Sequence, residues 1–388
     1  MEWVKLGDHI TQIRGVSYSK SDIKSSPCDG YVGLLRADAI QDGNIIETNL
    51  IYVKEDKVSE NQYLRDGDIL VATSSGSKNL VGKAAQFTKT NKDLTFGAFC
   101  KVVRTRDLNK DFLKFFFKSS YYKNTISNLS AGANINNIRN SDIDELDIVL
   151  YEEQFEADLV KRLNIIENLI STRKAQITAL DELNNAFFGQ LIKSNFSKKE
   201  LYSVLDKDIK KINSNYINPI SYIDISSIDN YKNEIVKTNE IETVKDRPSR
   251  AKQVLKKFDV LISTVRPNLK NIAMLTKETD YITIGSTGFS VLRPLKEFIN
   301  EVYLFYYVKS DIFTAKLNSI SSGANYPAVK DKDIKSLEIP LPPLELQEQF
   351  AAKVETIEAQ KAKLQTSLEE MEILFDALMQ EAFSGNLG

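Results

Sequence analysis

The sequence has 388 residues, which at about 100–200 residues per domain predicts two or three domains. Apolar residues make up 42%, which excludes a mainly disordered chain, and 51 basic against 53 acidic residues exclude a uniformly basic nucleic-acid coat. Two cysteines and one histidine exclude a disulfide framework, a cysteine-rich zinc site and a metal centre with several histidine ligands. The first residues lack a signal-peptide pattern and no apolar run approaches the ~20 residues of a membrane span, so we expect a cytoplasmic protein.

In chain order, the first predicted elements form a mixed α/β module over residues 1–150. Residues 68–73 are a short β-branched run that predicts a buried strand. Residues 112–117 predict a buried helix packed on a sheet, although periodicity alone leaves a strand open. Polar loops rich in glycine and asparagine separate these elements.

A long helical segment is predicted next, over residues 151–196. It has an apolar seam at helical spacing, which Arg173 and Asn184 interrupt. A helix of roughly 35–40 residues would be ~50–60 Å long at 1.5 Å per residue. The seam residues expected to pair with a second helix include Leu163, Ile166, Ile170, Ile177 and Leu180.

The next module, residues 197–340, repeats the first. The residues SAGAN at 130–134 recur as SSGAN at 321–325, a shift of 191, and the strand and helix signals recur at 259–264 and 302–307. One register over more than a hundred residues indicates a duplicated domain. The same shift matches Tyr31 with Tyr222, Asp38 with Asp229, Asp68 with Asp259, Thr73 with Thr264, and Gly97 with Gly288.

A second long helix is predicted over residues 341–388. Its seam is spaced 4, 3, 4, 3 and is broken only at Lys361, a heptad pattern typical of paired helices. Prolines precede it and Gly385 stands where a stop is expected. The tripeptide at 153–155 recurs at 348–350, a shift of 195. The seam residues expected to pair are Phe350, Val354, Ile357, Leu364, Leu368, Met371, Phe375 and Leu378.

Basic loops after the predicted strands are candidate nucleic-acid contacts. Residues 71–92 contain four lysines and no acid, and we take 245–270 as the equivalent basic region of the second module. Hydroxyl, amide and basic side chains on loops suit contacts to phosphates and base edges, whereas a single such loop is also typical of solvated surface. The candidates are Ser74, Ser75, Ser77, Lys78, Asn79 and Lys83, and in the second module Arg247, Arg250, Lys252, Thr264, Arg266, Asn268 and Lys270.

The repeated SAGAN and SSGAN stretches have two interpretations. They are either structural turns that need Gly132 and Gly323, or loops that lie against a ligand. Repetition preserves both kinds of loop, so the sequence leaves both open. In the second interpretation the ligand faces Asn134, Asn136 and Arg139 in the first module, and Asn325, Tyr326 and Lys330 in the second.

No catalytic constellation is apparent. The chain lacks the (N/D)-P-P-(Y/F) motif of a base methyltransferase and the Walker loop of a nucleotide hydrolase. Asp42, Glu55 and Lys57 have the residue types of a metal-dependent nuclease, but such spacing arises readily by chance where 27% of residues are charged. We therefore predict no catalytic residue and no metal site, and keep the nuclease as an alternative.

Over essentially its full length, the chain resembles the DNA-specificity subunit of type I restriction–modification enzymes. The resemblance rests on the duplicated domain, the IPLPPL entry to the second helix at 339–344, the EQF motif at 348–350 and the AFSGNL ending at 382–387. The first helix departs from the pattern, because residues 149–154 lack the proline pair.

The resemblance implies an α/β (mixed α+β) fold with two tandem target-recognition domains, each reading half of a bipartite DNA sequence. It implies two long antiparallel coiled-coil helices that fix the domain separation, an arrangement that suits pseudo-twofold symmetry. Two methyltransferase subunits would dock on this assembly for DNA methylation in phage defence, and translocase–nuclease subunits can join them. S-adenosylmethionine would belong to the methyltransferase. The other alternative is a coiled-coil scaffold of two ligand-binding modules without DNA binding.

Overall fold

The structure, a computed structural model, describes residues 1–74, 80–132, 137–213, 215–323 and 326–384. The chain divides into two compact units: unit 1 comprises Met1–Arg173 with Ser367–Gly388, and unit 2 comprises Lys174–Thr366. Each unit thus combines one mixed α/β module with parts of two long helices. Among the described helices, none combines the length and the apolar character that a membrane span requires.

Unit 1 contains two four-stranded sheets. Its strands are β1 (Glu2–Lys5), β2 (Ile10–Arg14), β3 (Ile23–Lys24), β4 (Tyr31–Leu35), β5 (Ile40–Gln41), β6 (Asn44–Ile45), β7 (Ile51–Lys54), β8 (Ile69–Ala72), β9 (Ala84–Gln86), β10 (Leu94–Phe96), β11 (Cys100–Thr105) and β12 (Asp147–Leu150). One sheet has the order β10-β4-β7-β3 with β10 parallel to β4, and the other is antiparallel with the order β2-β11-β8-β9. Strands β1 and β12 pair, as do β5 and β6.

Unit 2 also contains two sheets, which differ from those of unit 1 in their edge strands. Its strands are β13 (Lys198–Glu200), β14 (Ile220–Ile223), β15 (Ile228–Asp229), β16 (Glu234–Ile235), β17 (Asn239–Ile241), β18 (Ala251–Val254), β19 (Val260–Ser263), β20 (Ile272–Met274), β21 (Ile282–Ser286), β22 (Phe289–Leu292) and β23 (Glu338–Pro340). The sheets have the orders β17-β14-β21-β18 and β20-β19-β22, and β13–β23 and β15–β16 form pairs. Strand β14 runs parallel to β21, as β4 does to β10.

The helices include the two predicted long helices and the predicted short buried helix of each module. They are α1 (Lys110–Lys118), α2 (Ser120–Gly132), α3 (Asn140–Asp144), α4 (Glu153–Lys193), α5 (Leu201–Val204), α6 (Glu301–Lys309), α7 (Asp311–Ile320), α8 (Asp331–Lys335) and α9 (Leu344–Ser384). The predicted buried strands are β8 and β19, and the predicted buried helices are α1 and α6.

Helices α1 and α6 begin and end in the same way. The side chains of Asn109 and Asn300 each accept two backbone N–H groups of the first turn, which satisfies donors that a helix leaves free. Ser119 and Ser310 end the helices, and each hydroxyl donates to a carbonyl three residues back at 2.6 Å. These local signals fix where the aromatic faces of α1 and α6 enter the unit cores.

A buried ion pair recurs in each unit. The guanidinium of Arg104 donates to both carboxylate oxygens of Asp68 at 2.7 Å, and Arg293 does so to Asp259 at 2.7 and 2.8 Å. The Asp68 and Asp259 side chains are 1% and 0% exposed. Bidentate hydrogen bonding of this kind compensates for the loss of water around both charges. It also joins the turn before β8 or β19 to the neighbouring strand.

The two long helices, α4 and α9, have 41 residues each. In unit 2, Asp181 accepts from Lys361 at 2.5 Å and Asn184 donates to Glu358 at 3.0 Å. As residue numbers rise along α4, the numbers of their partners on α9 fall. The two helices are therefore antiparallel there. Asn184 is one of the two residues that interrupt the first predicted seam and Lys361 interrupts the second, and the structure brings both into one polar layer. The predicted pairing residues are all buried or half-buried.

The predicted shift of 191 is confirmed for Asp68 and Asp259 and for Thr73 and Thr264, but it does not hold throughout the repeat. Strand β5 begins at Ile40 and β15 at Ile228, an offset of 188, so Asp229 matches Gln41 rather than Asp38, and Tyr31 and Tyr222 are not equivalent. Likewise Thr73 bonds to the carbonyl of Phe99 and Thr264 to that of Gly288, so Gly288 matches Phe99 rather than Gly97. Loops of different length separate the equivalent strands, and each change in loop length shifts the register.

The predicted 195-residue offset of the helices was also wrong. Helices α4 and α9 begin 191 residues apart. Glu153 begins α4, whereas Glu348 lies one turn inside α9. As a result Phe155 is 43% exposed and Phe350 is 4% exposed. The predicted stop at Gly385 lies outside the described residues.

Candidate nucleic-acid interface

In unit 1, main-chain contacts join the two candidate loop stretches. Ser74, just after β8, forms an isolated antiparallel bridge with Asn137, just before α3. Beside it, the N–H of Ile138 donates to the carbonyl of Thr73 at 2.8 Å. The loop that follows β8 and the loop that precedes α3 therefore meet at their bases. We call this contact the loop junction of unit 1.

Unit 2 has a loop junction at equivalent residues. Val265 bridges Ala328, and the N–H of Val329 donates to the carbonyl of Thr264 at 2.9 Å. Both contacts lie 191 residues beyond those of unit 1. The N–H of Arg266 adds a bond of 2.7 Å to the carbonyl of Pro327. Two stretches that the sequence analysis selected separately thus form one surface in each unit.

Arg266 and Tyr326, both predicted contacts, stack on each other at the unit 2 junction. The guanidinium carbon lies 4.5 Å from the centre of the tyrosine ring, within the range of a cation–π interaction. Both residues are exposed, and Tyr326 is 68% exposed. The flat fork of Arg266 is therefore oriented before any ligand arrives, with its donors available.

The Arg266 backbone is itself constrained. Arg266 and Lys270 have φ of +49° and +51°, a left-handed conformation that non-glycine residues adopt rarely. They flank the 3-10 turn Pro267–Leu269. The ammonium of Lys270 bonds to Asp311 at 2.5 Å and lowers the pKa of that carboxyl group. A strained loop held by several contacts is typical of functional sites.

Behind each junction, a side-chain contact anchors the following short helix to the central sheet. In unit 1 Lys101 of β11 donates to Asn140 of α3 at 2.7 Å, and in unit 2 Ser290 of β22 donates to Asp331 of α8 at 2.6 Å. Burial lowers the pKa of Lys101. The bonding side chains differ between the units, but in both units the bond joins the sheet to the short helix that follows the junction.

The remaining predicted contacts separate into three groups. The side chains of Thr264 and Arg247 form hydrogen bonds within the protein. Thr264 donates to the carbonyl of Gly288, and Arg247 donates to the carbonyls of Tyr216 and Asn218. Exposed residues are Lys83, Arg139, Arg250, Lys252, Asn268 and Lys330. Outside the described residues lie Ser75, Ser77, Lys78, Asn79, Asn134, Asn136 and Asn325.

The basic run at 245–257 was wrongly equated with the loop after β8. Lys252 lies on β18, an edge strand that follows β17 in the chain and pairs with β21, whereas the edge strand β3 of unit 1 precedes β4 in the chain and pairs with β7. The structural equivalent of the loop after β8 begins at Val265. Sequence periodicity could not show this, because it does not specify which sheet edge a short strand joins.

Two exposed aromatic residues near the junctions escaped the sequence analysis. Phe99, whose carbonyl accepts the N–H groups of Thr73 and Ser74, is 68% exposed. Tyr231, on the hairpin between β15 and β16, is 94% exposed. For Tyr231 the sequence did contain a signal. The tyrosine lies within a turn-forming Asp-Asn-Tyr-Lys-Asn sequence, where an aromatic residue is not expected to be buried.

The structure gives no support to the nuclease alternative. Asp42 is at the tip of the β5–β6 hairpin, and Glu55 and Lys57 are on a 3-10 turn after β7. Within the described ranges, no three or more His, Cys, Asp or Glu residues are grouped so that they could hold a metal ion. Burial raises the pKa of Cys100 to about 12, which disfavours its reactive thiolate form.

Known proteins resemble this chain in sequence and fold. A family model described as the type I restriction modification DNA specificity domain matches residues 194–372. The EcoKI specificity subunit of Escherichia coli (strain K12) is 29% identical over 412 residues, which cover 97% of this chain and 87% of that protein. The StySPI specificity subunit of Salmonella potsdam is 28% identical over 407 residues, with the same coverage.

A solved structure shows the same fold. The S subunit of the type I restriction–modification system from M. genitalium has a TM-score of 0.56 at 15% identity, covering 99% of this chain and 96% of that one. A second chain, from a study of assembly and conformational transition of the type I R-M system, also has a TM-score of 0.56, at 18% identity and 98% coverage of this chain.

Proposed function

Because the chain belongs to the family of type I restriction–modification DNA-specificity subunits, we propose that its two loop junctions are the surfaces that recognise DNA. Sequence recognition in DNA is the function of the chain, and neither the scaffold nor the nuclease alternative has support. Each unit would read one half of a bipartite target. The observation that carries this proposal is the recurrence of one main-chain bridge in both units, with Arg139 exposed near it in unit 1 and Arg266 and Tyr326 exposed beside it in unit 2.

Arg266 is the residue we assign to base recognition in unit 2. Its guanidinium has parallel donors that match the two major-groove acceptors of guanine. Stacking on Tyr326 and the left-handed backbone reduce the freedom that Arg266 would lose on binding. Exposed lysines and arginines nearby would contact phosphates, which position the protein without reading sequence.

The partners and the chemistry of the complex follow as further parts of the proposal. Methyltransferase subunits would dock on α4 and α9, bind S-adenosylmethionine and methylate the DNA, and translocase–nuclease subunits can join them. This chain would supply sequence recognition and no catalytic residue. With a net charge of −2, it would depend on its partners for part of the attraction to DNA phosphates.

The decisive experiment is methylome sequencing of cells that express this chain with its methyltransferase. Methylation should appear at one split sequence and vanish without this chain. Replacing residues 197–340 with the corresponding domain of a relative should change one half-site and leave the other unchanged. Methylation at scattered sequences, or a change in both half-sites, would contradict the proposal. Methylation by the purified chain alone would contradict its non-catalytic part.

The role of the helices can be tested in the same assay. Removing seven residues from each of α4 and α9 keeps the apolar seam in register and shortens each helix by ~10 Å. If the helices set the half-site spacing, the spacer should shrink by roughly three base pairs at ~3.4 Å each. An active variant that still requires the original spacer would show that the methyltransferase subunits set the distance. Removing four residues should be worse, because it breaks the seam.

A further inference from the structure

The hairpin between β15 and β16 carries the exposed Tyr231 next to the Arg266 loop. Asn230 donates to the carbonyl of Leu269 at 2.8 Å, and Asn233 donates to that of Lys270 at 3.1 Å. These bonds attach both ends of the hairpin tip to the end of the Arg266 loop. The tip therefore lies at the edge of the unit 2 junction.

Tyr231 lies in a turn that hydrogen bonds fix, although its side chain is almost fully exposed. The Asp229 carboxylate accepts the N–H groups of Tyr231 and Lys232, at 2.9 and 3.1 Å, which fixes the turn. Asn233 has φ of +56° and closes it. Tyr231 is nonetheless 94% exposed, and an aromatic ring held in water by a fixed turn gains nothing for folding.

The corresponding hairpin of unit 1 has no such residue. Its tip between β5 and β6 has only two residues, Asp42 and Gly43, both with positive φ, as a tight hairpin turn requires. The unit 2 tip has four residues, because Asp229 pairs directly with Glu234. The extra length is what creates the position of Tyr231, so this feature belongs to unit 2 alone.

We propose that Tyr231 is a second DNA contact of unit 2, which binds the sugar–phosphate backbone beside the bases that Arg266 reads. This inference rests on the proposed function of the loop junction. A tyrosine hydroxyl can donate to a phosphate oxygen while its ring covers a deoxyribose. The tip has one cation, Lys232, against the two carboxylates of Asp229 and Glu234, so the contact we assign to Tyr231 is a neutral hydrogen bond and not an ion pair. Such a contact positions Arg266 and carries no sequence information itself.

The test uses the full chain co-purified with its methyltransferase subunits. Two duplexes of equal length serve as probes, one carrying the methylated target and one a scrambled sequence, and dissociation constants are measured over a salt series. Tyr231→Ala should weaken binding to both duplexes by about threefold to tenfold, the size expected for one hydrogen bond and one apolar contact. The dependence on salt should not change, because Tyr231 releases no counterion.

Further variants locate the effect. Tyr231→Phe should show a smaller loss, because only the hydroxyl is removed, and Asn230→Ala with Asn233→Ala should reproduce part of it by releasing the tip. Tyr281→Ala is the matched control: Tyr281 is 38% exposed and precedes β21, at the end of that strand away from Gly288. It should leave both affinities unchanged.

Each remaining outcome has a definite meaning. Unchanged binding of Tyr231→Ala, with weakened binding of Arg266→Ala, overturns the inference and leaves the proposed function intact. A loss confined to the target duplex shows base reading and overturns the backbone role. Loss of co-purification with the methyltransferase shows a protein contact and also overturns it. If the unaltered complex has no preference for the target duplex, the proposed function itself fails.

Discussion

The two units share what holds their loops in place and differ in what those loops present. Both have the buried aspartate–arginine pair, a capped aromatic helix and the main-chain bridge of the loop junction. They differ in the edge strand of one sheet, in the length of the hairpin tip and in the anchor behind the junction.

This distribution has a physical reason. Elements around β8 and β19 are packed on both sides, so a change there affects several neighbours at once. Hairpin tips and edge strands face solvent on one side and tolerate altered length. Two half-sites of different sequence can therefore be read by one architecture, provided that the packed part stays the same.

The largest expected effect is on the shared part. Asp259→Ala should lower the free energy of unfolding by about 3–5 kcal/mol, because it removes the carboxylate that bonds twice to the buried Arg293 guanidinium and leaves only Asp206, at 3.9 Å, as a counter-charge. Asp68→Ala should cost somewhat less, since the Arg104 side chain is 16% exposed and Arg293 only 9%. Urea unfolding of the purified complex measures both.

The control for this pair is Asp280→Ala, at an exposed aspartate of unit 2, which should change stability little. Asp259→Leu combined with Arg293→Met should recover much of the lost stability, because no unpaired charge remains. A loss below about 1 kcal/mol for Asp259→Ala would show that water reaches the pair and that it contributes little to the stability of unit 2.

The next effect concerns what the loops present. Arg266→Ala should weaken binding to the target duplex by about 1–3 kcal/mol and relax the preference at one base pair of one half-site. Arg266→Lys should not restore it, because an ammonium lacks the flat fork. Binding of the purified complex to single-base variants of the target measures this effect.

Two results would revise the role of Arg266. An equal loss for every DNA sequence would make it a phosphate contact. An unchanged affinity would show that the unit 2 junction does not face DNA. Tyr326→Ala is the companion variant, which should weaken binding by about 0.5–1 kcal/mol through the lost stacking on Arg266.

The sequence predicted those features that depend on local patterns. Strands β8 and β19 and helices α1 and α6 were found because short β-branched or aromatic runs between polar loops are distinctive. The helices α4 and α9 were found from their seams. Their seam interruptions, Asn184 and Lys361, were visible too, but only the fold shows that they lie in one layer with Asp181 and Glu358.

Features that depend on loop length or on distant contacts were not predictable. The register between the units changes wherever a loop is longer in one of them, and matched letters such as Asp38 and Asp229 hide that change. The sequence selected Arg266 and Tyr326 separately, 60 residues apart, and gave no sign that they stack. It also gave Arg247 a role in binding, whereas its donors are used on backbone carbonyls.

A smaller effect separates the two aromatic helices. Tyr303 of α6 occupies the place of Phe112 in α1, and its hydroxyl donates to the carbonyl of Pro340 at 2.6 Å. Tyr303→Phe should lower the free energy of unfolding by about 1 kcal/mol. Phe112→Tyr should cost about 1–3 kcal/mol, because it places a hydroxyl among the rings of Tyr151 and Phe383. If Phe112→Tyr stabilised the protein, a hydroxyl at that position would have an acceptor as Tyr303 does, and the difference between the two cores would be wrong.

The smallest effect is a pH dependence that only unit 2 should show at this position. Lys309 of α6 lies over the ring of Tyr306 at 3.6 Å, where its equivalent in unit 1, Lys118, forms an ion pair with Glu167 at 2.5 Å. Burial lowers the pKa of Lys309 from 10.5 to about 8, against the opposing effect of Glu358 and Asp181 and with a further lowering by Lys361.

The sign of the pH dependence follows from where the protons are. Between pH 8 and 10.5 the folded chain has lost the Lys309 proton that the unfolded chain still binds, so the free energy of unfolding should rise with pH in this window. Below pH 8 both states are protonated and the penalty for the buried charge is complete. Lys309→Met should remove this rise and stabilise the protein most at neutral pH. The matched variant Lys118→Met removes an ion pair, so it should lower stability and leave the rise in place. Urea unfolding from pH 7 to 10.5 checks this, and a rise that persists in Lys309→Met would show that other groups cause it.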